Sequence, residues 1–66
     1  MRAKIEAQKT LEGCYQMVAI LPDGREEFPQ ESRLHKTRKS VYRDAELMYG
    51  GDVWDYNPRT HTIKID

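Results

Sequence analysis

The stretch RLHKTRKSVYRDAELMYGG, Arg33 to Gly51, decides the fold, because it joins the chain's one run of unbalanced positive charge to its clearest helix. Val41, Ala45 and Met48 recur at i, i+4 and i+7, and at about 100° per residue Tyr42 and Tyr49 flank the same face. One side is therefore apolar. Ser40 has the hydroxyl of an N-cap, and Gly50 with Gly51 supplies a left-handed stop, so a short helix is expected over Ser40 to Tyr49. Leu47 stands about 200° from Ala45 on the wheel, away from the stripe.

Arg33, Lys36, Arg38, Lys39 and Arg43 accompany His35, and no acid interrupts them from Arg33 through Arg43. Lys36, Arg38 and Lys39 would precede the positive end of the helix, where the macrodipole disfavours each cation by roughly 0.3 to 1 kcal/mol. The ordinary compensation is internal, through Asp44 and Glu46 or through Glu26, Glu27 and Glu31. The alternative is an external anion at the free helix amides.

Outward from the helix, the rest of the chain reads as strands. Met1, Ala3, Ile5 and Ala7 alternate with polar residues, the period of a strand with one buried face, although alanine, lysine and glutamate favour helix. Gly13 breaks the run. Tyr15, Met17, Ala19 and Leu21 then mark a second, more apolar and central strand. Pro22, Asp23 and Gly24 predict a tight turn into a charged edge strand over Arg25 to Phe28, ended by Pro29. Gln30 to Lys39 shows neither period and reads as the crossing to the helix. Beyond Gly51, Val53 to Tyr56 and His61 to Ile65 are expected to form a second hairpin around Asn57 to Thr60.

The predicted architecture is a single α+β domain over residues 1–66, a small and mostly antiparallel sheet of two hairpins with an extra N-terminal strand, packed on one short helix. Its expected core is Ile5, Met17, Ala19, Leu21, Val41, Ala45, Met48, Trp54, Ile63 and Ile65.

Composition limits the function. Eleven Lys plus Arg balance eleven Asp plus Glu, so no global field draws the chain to nucleic acid or to a membrane. A mean hydropathy of -0.88 raises the question of disorder. Balanced charge, four tyrosines, one tryptophan and one phenylalanine, and regular apolar periods argue for a folded domain. A chain this short often completes its core with a partner, so a homodimer is among the expectations. Cys14 is the only cysteine, which excludes an internal disulfide and fits a reducing, cytoplasmic compartment; no signal sequence or membrane span is read.

Catalytic signatures are missing: there is no phosphate-binding glycine loop, Cys-x-x-Cys, helical His-Glu-x-x-His or serine elbow. Cys14 with His35 or His61 could act as nucleophile and base only if the fold brought them together with a third group to orient the base. As zinc ligands they have no zinc-finger rhythm and no evident fourth partner, so packing is the expected role of Cys14. Asp52, Asp55 and Asn57 do not have calcium-loop spacing. No enzyme activity, cofactor or metal is expected. The favoured reading is a non-catalytic module that binds another protein, as a regulatory or inhibitory adaptor, through Arg33, Lys36, Arg38, Lys39 and Arg43 with Leu47 nearby. The competing reading is nucleic-acid binding, the same cations on phosphates and Tyr42, Tyr49, Trp54 or Tyr56 stacked on unpaired bases.

Overall fold

The computed structural model describes residues 1–29 and 33–65. Strands β1 (Arg2–Lys9), β2 (Tyr15–Ile20), β3 (Glu26–Glu27) and β4 (Thr62–Lys64) form one antiparallel sheet in the order β3-β2-β1-β4, and helix α1 (Arg38–Tyr49) lies across it. This is the α+β layer that the sequence predicts. The first and last strands are neighbours, and Ile65 N donates to Met1 O at 3.0 Å.

Pairing of Lys4 with Ile20 through Lys9 with Tyr15 puts Ala3, Ile5 and Ala7 on the same face as Met17 and Ala19. Ile63, opposite Ala3, extends that face across β4. Val41 and Ala45 of α1 close over it, and Ile5, Met17, Val41 and Ala45 are fully buried. Burying each of the three larger side chains contributes about 1.5 to 3 kcal/mol. The opposite face is not bare. Val18 is fully buried there, with Glu6 directly across from it and a Gln8 Nε2 to Glu26 Oε1 bond of 3.3 Å spanning β2.

The Pro22–Gly24 turn forms as expected: Leu21 N donates to Arg25 O, Asp23 Oδ1 accepts from Arg25 N, and Gly24 takes φ 92°. The strand after it is shorter than Arg25 to Phe28. Four further expectations need correction. Thr37, not Ser40, caps α1, its Oγ1 accepting from Ser40 N at 3.1 Å. Gly50 is right-handed, with φ -74°, rather than a left-handed stop. Val53 to Tyr56 is not a strand, because Asp55 takes φ 47° and breaks the extended run; its ends still reach β4 through Lys64 N to Trp54 O and Asn57 N to Thr62 O. Trp54 leaves the core and is 40% exposed, while Tyr56 and Ala3 enter it. Of the crossing over Gln30 to Lys39, residues Gln30, Glu31 and Ser32 lie outside the described residues. Among those described, no helix is long and apolar enough to cross a membrane.

Candidate functional site

The basic run is divided by the way the chain enters the helix. Residue 35 runs beside β2, with Tyr15 N donating to His35 O at 2.7 Å and His35 N to Tyr15 O at 2.8 Å. That pins the imidazole inward, 7% exposed, where Nδ1 meets Ser40 Oγ at 2.7 Å and Nε2 stands 3.5 Å from Asp44 Oδ2 without a hydrogen bond. Arg33 reaches the other oxygen of the same carboxylate, Nη2 to Oδ1 at 3.7 Å. Asp44 thus serves two basic residues. The serine, histidine and aspartate line up in the order of a nucleophilic relay, but the imidazole is turned into the fold and ties the crossing to the first turns of α1.

The remaining cations point outward. The Arg38 guanidinium lies 5.6 Å from the centre of the Tyr15 ring, within cation–π range. Lys39, Arg43 and Leu47 follow at i, i+4 and i+8 along one exposed stripe of α1, with Lys36 just before it, and Leu47 is 78% exposed. Among the described residues, Lys36, Arg38, Lys39 and Arg43 have no carboxylate within ion-pair distance. The first turn of the helix holds no acid and the last holds no base, so Lys36, Arg38 and Lys39 oppose the macrodipole.

Two shallow grooves flank this stripe. One, of about 330 Å³, is lined by Lys4, Glu6, Ala7, Arg38, Tyr42 and His61. The other includes Lys39, Arg43, Glu46 and Pro58 and shares Tyr42 and His61 with the first. The wall between them is a stack that sequence reading does not reveal: the Tyr42 and His61 rings lie 3.9 Å apart at 22°. His61 takes φ 55° to reach it, and its Nδ1 meets the Tyr56 hydroxyl at 2.8 Å. Burial, then Glu46 and Tyr42, push that hydroxyl's pKa above 10.0.

The aromatic residues are largely committed within the fold. Tyr42 stacks on His61, Tyr56 is 9% exposed, Tyr15 lies under Arg38, and Tyr49 meets Trp54 edge-on at 5.3 Å. Trp54 and Phe28, 53% exposed, stand at the C-terminal end of the helix, where the sheet's apolar face opens into a cleft of about 170 Å³ also lined by Leu21, Tyr49 and Ile65. Cys14 is half-buried. No group of three or more His, Cys, Asp or Glu side chains among the described residues is placed to hold a metal ion.

Compared with known proteins, the chain matches no family, no curated protein and no solved structure.

Proposed function

We propose that the protein is a small non-catalytic binding module whose partner is another protein, engaged on the face that carries Lys36, Arg38, Lys39 and Arg43, with Leu47 at its far end. The observation that carries this reading is the unpaired state of those four cations among the described residues, with Lys36, Arg38 and Lys39 at the positive end of α1 and Arg43 one turn further on. An acidic surface relieves both their mutual repulsion and the unfavourable dipole term. Each exposed pair contributes only about 0.2 to 1 kcal/mol, so several must act together, and Leu47 offers the apolar contact such a set needs. Arg33 contributes less, because Asp44 already faces it.

A protein fits this face better than nucleic acid does. Glu46 lines the groove beside Lys39 and Arg43, and the tyrosines nearby are held by His61 and Arg38 rather than presented for stacking on bases. The test pairs a photo-crosslinking side chain at position 47 with one at position 23, on the β2–β3 turn, as a control. One protein adduct is expected from position 47 alone, and its yield should fall sharply in the Lys39→Glu/Arg43→Glu variant. That variant places a carboxylate in the helix's first turn, so it does not owe its loss of binding to a weakened helix. Oligonucleotide binding that is micromolar at about 50 mM salt and collapses by about 200 mM would overturn the reading in favour of nucleic acid.

A further inference from the structure

We propose that the partner docks as an added β-strand on the open edge of β1, presenting acidic side chains toward the helix. This rests on the protein-binding reading above and specifies how that partner is held.

The phase of the hydrogen bonds defines the edge. Thr10 N donates to Cys14 O, while Tyr15, opposite Lys9, directs both its N–H and its C=O away from β1 toward His35. Even-numbered residues of β1 therefore bond to β2, and Ile5, Ala7 and Lys9 turn their backbone groups the other way. On that side β4 pairs with Arg2 to Lys4, and Ile5 N donates to His61 O at 2.7 Å. There the neighbouring strand stops. His61 gives its own N–H to Asn57 O and leaves the sheet at φ 55°. The Ile5 carbonyl, both backbone groups of Ala7 and the Lys9 amide are thus left without a backbone partner among the described residues.

Neighbouring edges are treated differently. The outer side of β4 receives Asn57 N and gives Lys64 N to Trp54 O, and β2 is paired outward at Tyr15 by His35 and at Ala19 and Ile20 by β3. The far edge of the sheet, β3, is only the two glutamates Glu26–Glu27, whose charge turns away an acidic strand. Ile5 to Lys9 is about 13 Å of extended backbone, enough for a short strand to pair with. The groove lined by Lys4, Ala7, Arg38 and His61 runs beside it, taking side chains from both faces of β1.

Charge selects the occupant. On the helix side the added strand meets Arg38, with Lys39 and Arg43 beyond the Tyr42–His61 wall. On the other side Glu6 is already held by Lys4 at 3.5 Å. Alternate acidic residues satisfy the first set while the intervening ones need only extended backbone. A second copy of this chain is disfavoured, since an antiparallel pairing of the two edges about Ala7 would bring the Arg38 guanidinium beside each edge toward its counterpart; the lysine at position 9 is also a common guard of an open edge against self-pairing.

The probe is the peptide acetyl-Glu-Val-Glu-Val-Glu-Val-Glu-amide, titrated into labelled protein and followed by amide NMR. Its comparisons are a lysine-for-glutamate version and a version N-methylated at alternate residues. In the free protein the Ala7 and Lys9 amides should exchange rapidly with solvent, and bound peptide should slow both. N-methylation should weaken binding by about tenfold or more, and the lysine peptide should not bind. Ala7→Pro, which removes an outward N–H that β2 does not use, should cause a similar loss with an unchanged circular dichroism spectrum. Ala7 and Lys9 amides already protected in the free protein, equal affinity for the N-methylated peptide, or no binding at millimolar peptide would each overturn the strand. If the position 47 crosslink persists in any of those cases, the protein-binding reading stands without it; loss of both removes that reading too. Self-association that protects the same two amides would assign the edge to a second copy.

Discussion

His61 joins three parts of the molecule: its ring stacks on Tyr42 of α1, its Nδ1 meets the Tyr56 hydroxyl, and its carbonyl receives the Ile5 amide of β1. The Tyr56 hydroxyl and His61 Nδ1 share one hydrogen bond of 2.8 Å. Burial first, then the charge of Glu46, favour the neutral phenol, and burial followed by Asp44 does the same for Tyr49. Both folded pKa values therefore lie above 10.0, so the native state keeps protons that the unfolded chain gives up. The associated stability is fully present below pH 10.0 and is lost as pH rises through the raised values. Urea unfolding at successive pH values should show this alkaline decline. Tyr56→Phe should lose about 1 kcal/mol at neutral pH, from the missing hydrogen bond, and should show a shallower decline, because one of the two groups responsible is gone. A decline as steep as in the unmodified protein would remove Tyr56 from the explanation.

At the scale of elements, the two ends of α1 show what local sequence specifies and what it does not. The apolar stripe of Val41, Ala45 and Met48 is legible because helix periodicity and burial coincide there. The start is not, since Thr37 and Ser40 are both cap-forming residues. A tertiary contact decides between them: the Ser40 hydroxyl meets the buried His35 ring, and Thr37 takes the cap. The paired glycines at the other end correctly signal a stop, but Gly50 is there for space rather than for a left-handed φ. A Cβ at Gly50 would collide with the Glu46 carbonyl oxygen, a backbone atom that cannot step aside cheaply, whereas one at Gly51 would meet nothing within 4 Å. Gly50→Ala should therefore destabilise by about 1 to 3 kcal/mol. Gly51→Ala should be neutral or stabilise by about 0.4 to 1 kcal/mol, by restricting the unfolded chain. Thermal unfolding of the two variants side by side checks the contrast, and equal effects would sink the steric account.

Across the whole molecule, β1, β2, α1 and β4 were readable because each kept its own period, whereas the strand expected over Val53 to Tyr56 is undone by the left-handed Asp55. The division of the basic run was not readable, because Asp44 reaches Arg33 and His35 only after the chain crosses from sheet to helix. The open edge of β1 is likewise a product of register: Glu6 to Lys9 looks like any half-buried strand until β4 is seen to stop at Thr62. That short strand also holds the fold closed. Its Ile63 is 4% exposed in the core, its inner side pairs with Arg2 to Lys4, and its outer side receives Asn57 and binds Trp54. Ile63→Ala should cost about 2 to 5 kcal/mol, combining lost burial with a cavity beside Ile5 and Ala3 that so small a core cannot easily refill. Val53→Ala, ten positions away and at a side chain 79% exposed, should change stability by less than about 0.5 kcal/mol. Urea unfolding followed by Trp54 fluorescence and by circular dichroism should give coincident transitions for both variants, with the Ile63→Ala midpoint far lower. If Trp54 were released first while the helix and sheet signal persisted, β4 would be a separable flap rather than the strand that closes the core.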